Sequence, residues 1–141
     1  MNWRLSGDVS RTLRLTGNYS YQQAIDEATN QDSGYAPHNH IYLRGDWRFA
    51  GNWLSSAQIN RVSDRQRAAG DTRPPVPDYT TVDITARTTY DKFEFAASVH
   101  NLFNATVLEP SLPGSTPANV PIPNDLPTVP RTIWLQATYK L

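Results

Sequence analysis

The sequence predicts an all-β chain, an antiparallel up-and-down meander of about six to seven strands. Three observations support this prediction. Apolar and polar residues alternate along most of the chain, short and long polar connections alternate between the predicted strands, and aromatic residues collect near strand ends. Because successive side chains of a strand point to opposite faces, each predicted strand has one apolar and one polar face.

The last strand, residues 131–141, shows this pattern most clearly. Its apolar face consists of Ile133, Leu135, Ala137, Tyr139 and Leu141. Its largely polar face consists of Thr132, Trp134, Gln136, Thr138 and Lys140. The strand has the length of a tilted strand that crosses a bilayer, roughly 9–11 residues.

The earlier strands follow the same design. In chain order, we predict strands at residues 2–7, 12–22, 41–49, 53–62, 81–90 and 93–100. The connections are short at residues 8–11, 50–52 and 91–92, and long at residues 27–38, 63–78 and 104–130. In a meander, all short turns then lie at one end of the sheet and all long loops at the other. Outer-membrane barrels have this asymmetry, with the long loops outside the cell.

The aromatic residues form two levels. Near the short turns lie Trp47, Phe49, Trp53, Tyr90, Phe93 and Tyr139, and near the long loops lie Tyr19, Tyr21, Tyr79 and Phe103. Aromatic side chains prefer the boundary between membrane and water, so two such levels favour a transmembrane β-barrel. The alternative is a soluble β-barrel or sandwich that binds a ligand, in which the same aromatic side chains form an internal core.

The composition of the chain argues against several classes of function. Lys plus Arg and Asp plus Glu number 13 each, a balance that argues against a nucleic-acid partner. The chain has no cysteine and no apolar run long enough for a transmembrane helix, although alternating barrel strands need no such run.

No nucleophile elbow, paired acid and base, or phosphate-binding glycine loop is present, so we expect neither an enzyme nor a cofactor. The first residues also lack the features of a secretory signal peptide.

Several short motifs occur in a specific order. Asn101, Leu102, Phe103 and Asn104 close the predicted sixth strand, Pro130 and Arg131 open the last strand, and Tyr139 and Leu141 end it. In this order and spacing, the motifs resemble the carboxyl end of a TonB-dependent outer-membrane receptor. The stretch 79–83 is similar to the start of an earlier strand in that family. Those receptors usually end in an aromatic residue, whereas this chain ends in Leu141.

The resemblance implies that residues 1–141 are the C-terminal portion of a larger transmembrane barrel of roughly 22 strands, without the plug domain. It implies a place in the outer membrane of a Gram-negative bacterium, in contact with lipid. The expected function of the whole receptor is energy-coupled import of a scarce substrate, such as an iron–siderophore complex or cobalamin. A TonB-type energy-coupling protein would act through the missing plug.

Three groups of residues are candidate sites. Arg65, Arg67 and Arg73 lie in a predicted external loop and could attract an anionic metal chelate, or could form an ordinary solvated loop. Asn101, Leu102, Phe103 and Asn104 form the family motif, for which we expect a structural role at the strand end. Tyr139 and Leu141 resemble the signal read by the outer-membrane assembly machinery, or belong to a plain edge strand.

His38 and His40 lie on one strand face, but two histidines without further ligands make an incomplete metal site. We therefore predict no metal site and a rim or lumen position for both side chains.

Overall fold

The computed structural model describes residues 1–28, 30–34, 36–67, 71–111 and 124–141. Within these ranges, the chain forms one seven-stranded antiparallel sheet and two hairpins of two strands each. The strands of the large sheet are β1 (Asn2–Asp8), β2 (Leu13–Tyr21), β5 (Pro37–Phe49), β6 (Trp53–Arg65), β7 (Tyr79–Tyr90), β8 (Phe93–His100) and β11 (Thr132–Tyr139). The hairpins are β3 (Ile25–Asp26) with β4 (Gln31–Asp32), and β9 (Leu108–Glu109) with β10 (Leu126–Pro127).

The strand order of the large sheet is β1-β2-β5-β6-β7-β8-β11. Apart from the two hairpins, every strand pairs with the next one along the chain, which confirms the predicted meander. The short turns lie at one end of the sheet. Ala50, Gly51 and Asp91 adopt positive φ angles there, of 48°, 69° and 51°, as tight reversals between paired strands require.

Two strands are longer than the alternation predicts. β5 begins at Pro37 instead of residue 41, and β6 continues to Arg65 instead of ending at residue 62. The two extensions pair with each other, with Pro37 opposite Arg65 and Asn39 opposite Ser63. Both extensions are polar on both faces, so their sequence lacks the apolar alternation by which strands are recognised.

The apolar face of the sheet is open to the surroundings. Leu43 and Trp47 on β5 and Leu135 on β11 are 51%, 52% and 80% exposed. The opposite, polar face carries Tyr42, Arg44, Gln58 and Asp83, whose side chains are half-buried and hydrogen-bonded to one another or to their neighbours. A soluble sandwich would instead enclose its apolar face between two layers. In the described ranges, no second layer covers that face.

The buried apolar side chains lie at the long-loop end. Val62 of β6, Val76 of the loop after β6 and Val107 of the loop after β8 are 5%, 3% and 8% exposed. The described loops therefore pack against the end of the sheet. No helix in the described parts of the chain is long and apolar enough to cross a membrane.

Aromatic rings gather at the short-turn end as predicted. The ring centroids of Trp47 and Phe49 are 4.8 Å apart, and those of Phe93 and Tyr139 are 5.1 Å apart. At the other end, Tyr79 departs from the expected outer level. It pairs with Val62 on the polar face, and its ring lies 5.3 Å from the Arg65 guanidinium carbon.

We expect an introduced arginine to affect stability differently on the two faces of the sheet. Leu135→Arg, on the apolar face, should destabilise the sheet in lipid by about 2–4 kcal/mol, the cost of an arginine at mid-membrane depth. Gln136→Arg, one residue later on the polar face, should have a much smaller effect. The measurement is urea unfolding in lipid vesicles of the full-length protein that carries this chain. Equal effects of the two substitutions would show that the apolar face does not contact lipid.

Candidate functional site

The long-loop end holds the three arginines singled out from the sequence. Arg65 is the last residue of β6, and Arg67 and Arg73 follow in the loop between β6 and β7. Their side chains are 5%, 8% and 19% exposed. The structure thus places them inside a loop cluster, where none of the three extends freely into solvent.

Arg65 joins β6 to the β9–β10 hairpin. Its Nη1 donates a hydrogen bond to the Leu108 carbonyl oxygen at 2.5 Å, and its Nη2 lies 2.8 Å from Glu109 Oε2. The guanidinium carbon lies over the Tyr79 ring, 5.3 Å from its centroid, within the range of a cation–π contact. Several hydrogen bonds combined with an aromatic contact suit arginine, because its guanidinium group is flat and presents several donors.

Arg67 and Arg73 join the loop after β6 to the loop after β8. Arg67 contacts both carboxylate oxygens of Asp125, at 3.0 and 2.6 Å. Arg73 contacts both oxygens of Asp71 and also donates to the side chain and backbone of Ser111, at 2.7 and 2.9 Å. Asp71 lies 3.7 Å from Arg67 as well, so these charges form one connected network.

The network keeps its carboxylates ionised. Hydrogen bonds from the Arg73 side chain and backbone hold the pKa of Asp71 at about 2, although burial opposes this shift. The hydrogen bond from Arg67 likewise lowers the pKa of Asp125. A carboxylate whose pKa is lowered on folding stabilises the folded state above its unfolded pKa, and this contribution is lost as pH falls through the folded value. The cluster is therefore charged and paired throughout the neutral range.

The motif at residues 101–104 lies just after β8 and makes hydrogen bonds to backbone groups around it. Asn101 is buried and adopts a φ of 51°. Its side chain donates to the Ala105 carbonyl and accepts from the Ala105 N–H, both at 2.9 Å. Asn104 Oδ1 accepts from the Arg131 N–H at 3.0 Å, which fixes the start of β11. Leu102 N–H donates to the Val82 carbonyl, and Phe103 is 74% exposed.

A polar network on the sheet connects to this motif. Tyr42 donates to Gln58 Oε1 at 3.1 Å, and Gln58 Nε2 donates to Asp83 Oδ2 at 2.8 Å. Asp83 Oδ1 accepts the Asn101 N–H at 2.7 Å. Sequence analysis placed Gln58 and Asp83 on polar faces but did not link them, because strand register decides which polar residues become neighbours.

Beside this network, a cavity of about 240 Å³ opens between the polar face and the loop after β8. It is lined by Asn60, Tyr79, Asp83, His100 and Glu109, among others. The described residues contain no group of three or more His, Cys, Asp or Glu arranged to hold a metal ion. His38 lies at the loop end and His40 bonds Asn60 on the polar face, so the two histidines do not converge.

Comparison with known proteins identifies the family. A sequence model described as "TonB dependent receptor-like, beta-barrel" matches residues 1–102. The chain belongs to the TonB-dependent receptor family. It is 31% and 30% identical over 121 residues to the metal-pseudopaline receptor CntO of two Pseudomonas aeruginosa strains, PAO1 and UCBPP-PA14. Each alignment covers 77% of this chain and 17% of the relative.

The fold agrees with this assignment. The structure of the copper transporter OprC superposes with a TM-score of 0.75 at 14% sequence identity, over 96% of this chain and 22% of that protein. This likeness concerns the fold alone. The receptor segment described here thus spans about a fifth of such a barrel protein or less. TonB-dependent receptors are transport receptors of the Gram-negative outer membrane and are not enzymes, so the seven strands of the large sheet are strands of such a barrel.

Membership in the receptor family indicates which environment each face of the sheet meets. In an outer-membrane barrel, the apolar strand faces point toward lipid and the polar faces toward the lumen. The terminal strand β11 pairs only with β8 within the described chain, and Tyr139 packs on Phe93 at its end. Leu141 is fully exposed beyond the strand. Their predicted part in barrel assembly stays a prediction.

The receptor motif can be tested at Asn101. Asn101→Gly retains the positive φ but loses both side-chain hydrogen bonds, whereas Asn101→Ala loses the bonds and also strains the backbone. We expect a loss of about 1–3 kcal/mol for the glycine variant from the unsatisfied buried groups, and a larger loss for alanine. Urea unfolding of the full-length receptor in lipid measures both. Wild-type stability of the glycine variant would refute a role for these hydrogen bonds.

The loop network can be tested at Arg67. Removing one partner of a buried ion pair costs about 3–5 kcal/mol, so Arg67→Ala should release the loop segment around Asp125. Hydrogen exchange of loop amides in the purified receptor reports this opening. The control is Arg87→Ala, because its contact with Glu94 is exposed and 3.7 Å long, and such pairs contribute roughly 0–1 kcal/mol. Unchanged exchange in the Arg67 variant would contradict the tethering role.

Proposed function

We propose that this chain is the C-terminal barrel segment of an outer-membrane receptor that imports a metal complex. Energy would come from a TonB-type coupling protein acting on a plug domain elsewhere in the protein. The observation that carries the proposal is the 31% identity to the metal-pseudopaline receptor, combined with a sheet whose polar face lines the barrel lumen.

The proposed substrate class is a metal chelate, with an iron–siderophore complex as the specific case that the sequence suggested. The names of the similar proteins refer to a metal–pseudopaline complex and to copper, which favours a metal-containing substrate. The cavity beside Tyr79, Asp83 and His100 offers hydrogen-bonding groups on the path between the long loops and the lumen wall. A chelate that has entered the mouth would meet this wall first.

Arg65, Arg67 and Arg73 would act mainly by holding the loops. Their positive charges are balanced by Glu109, Asp125 and Asp71, so little unbalanced charge is left to draw an anion. Attraction of an anionic chelate by these arginines is the alternative, and it requires the carboxylate partners to be displaced.

If the chain is a segment of an outer-membrane barrel, two cellular components would contact it. The apolar face would contact outer-membrane lipid, and β11, with Tyr139 and Leu141, would be the segment recognised by the outer-membrane assembly machinery. Deletion of residues 139–141 in the full-length receptor tests the assembly role. Normal membrane insertion of that variant would show that these residues are not needed for assembly.

The import function is tested by uptake in cells. We expect a Gram-negative strain that lacks its own metal receptors to accumulate a radiolabelled metal chelate when it expresses the full-length protein. Accumulation should stop when the TonB-type protein is deleted. The panel should include siderophore-bound iron and chelates of nickel, zinc and copper, with the empty strain as control. No accumulation above the empty strain for any metal complex would refute the proposal.

The arginines are tested in the same assay. Replacement of Arg65, Arg67 and Arg73 by alanine should loosen the loops, and uptake should fall for every transported chelate, regardless of its charge. A loss confined to anionic chelates would instead indicate direct attraction.

A further inference from the structure

His38 occupies an unusual position at the rim of the barrel. Its side chain is 10% exposed and lies between two carboxylates. His38 Nε2 is 2.6 Å from Asp32 Oδ2, and Nδ1 is 2.9 Å from Asp64 Oδ2. Both oxygens are acceptors while the carboxylates are ionised, so both ring nitrogens must donate. A neutral imidazole has a single N–H, and only the imidazolium has two.

The three residues come from separate parts of the chain. His38 is near the start of β5, Asp64 is near the end of β6, and Asp32 is the end of the β3–β4 hairpin in the first long loop. Among the described residues, the bond between His38 and Asp32 is the side-chain hydrogen bond that joins this hairpin to the large sheet. The backbone adds one bond nearby, from Gln22 N–H to the His38 carbonyl.

The other groups around His38 are fixed as well. The Tyr21 ring of β2 lies with its centroid 6.1 Å from the His38 ring. Asp64 has a φ of 57°, receives a hydrogen bond from Gln66 at 2.6 Å, and donates its own N–H to Asp78 at 3.0 Å. Asp78 in turn lies 3.6 Å from Arg61. The site therefore touches the first and second long loops at once.

This part of the chain lies beyond the apolar band. On the lipid face, Asn39 and Ser63 replace the aliphatic side chains found at Ile41 and Leu43, so the membrane-facing part of β5 ends below His38. The site is thus on the loop side of the barrel, where the pH of the outer medium reaches it.

We propose that Asp32, His38 and Asp64 form a pH-operated latch, which holds the β3–β4 hairpin on the barrel rim while His38 is an imidazolium and releases it when His38 loses a proton. Once the ring is neutral, one carboxylate loses its donor. The negative charges of Asp32 and Asp64 then repel each other across a neutral ring. The hairpin has no other side-chain hydrogen bond to the sheet among the described residues, so it is the part that moves.

The direction of the pH response follows from the charges. Burial lowers the pKa of His38, but hydrogen bonds to Asp32 and Asp64 and their negative charges outweigh it, so the pKa is raised above its ordinary value. A histidine whose pKa is raised on folding stabilises the folded state below its unfolded pKa, and the contribution disappears as pH rises through the folded value. The latch is closed below the raised pKa of His38 and opens as pH rises through it. It also weakens in strong acid, as pH falls through the lowered pKa of the Asp64 carboxyl group.

The test uses a spin label on the hairpin of the full-length receptor in detergent. The chain contains no cysteine, so Ala28→Cys provides a single attachment point once any cysteine elsewhere in the protein is replaced. Val9→Cys, in a short turn at the opposite end, is the reference position. We expect the label at residue 28 to become mobile as pH rises, with a midpoint above about 6.5, the ordinary histidine value. The reference label should show no such transition.

Three variants decide the assignment. Asp32→Asn removes one neighbouring charge and should lower the midpoint by about 1–3 pH units. His38→Asn should give a label that is mobile at every pH. His100→Asn is the matched control, because His100 also faces an aspartate, Asp83 at 3.5 Å, but lies on the lumen wall away from the hairpin. It should leave the transition unchanged.

The proposal is overturned by either of two results. One is a label at residue 28 that shows no mobility change as pH rises through and above about 6.5, the ordinary histidine value. The other is a transition that persists in the His38→Asn variant or keeps its midpoint in Asp32→Asn. Neither outcome depends on which substrate the receptor carries.

Discussion

The continuous ladder of backbone hydrogen bonds between neighbouring strands is the constraint on which the rest of this structure depends. In lipid, no water is available to bond a free N–H or carbonyl, so each strand needs a neighbour on both sides. Within the described chain, β1 pairs only with β2, and β11 only with β8. The two outer edges must therefore be completed by other strands of the barrel, in agreement with a segment that covers 17% of its relatives.

The same ladder of backbone hydrogen bonds separates apolar from polar side chains. Since strand side chains alternate, a fixed register collects most apolar side chains on one face of the sheet and most polar ones on the other. Cohesion at the long-loop end has a different origin. There, a few buried valines and a set of arginine–carboxylate pairs tie successive loops to the sheet and to one another. The barrel wall is thus held by its backbone and the mouth by side-chain charges, which leaves the mouth sensitive to protonation.

Much of the fold could be predicted from single residues and their spacing. Seven strands, their order and the two ends of the sheet followed from alternation and from connection length, and Asn101 marked a real strand end. The extensions of β5 and β6 could not be predicted because they are polar on both faces, and the hairpin strands could not because two residues are too few to show alternation. The arginines were found as a cluster, but Glu109 and Asp125, their carboxylate partners from the loop after β8, were not. Asp125 is 58 residues from Arg67 along the chain, and no local pattern links them.

The sequence by itself determined the architecture of this protein. A period-two pattern that leaves one face apolar, with loops of alternating length, is compatible with few folds, because every strand must expose the same face to the same environment. Only the tertiary structure decided what the polar residues do. His38 was expected only to share a strand face with His40 at the rim or in the lumen, whereas register and a loop hairpin set it between Asp32 and Asp64. The reason is physical: apolar contacts with lipid need only the right face, whereas hydrogen bonds and ion pairs need two specific groups within about 3 Å of each other.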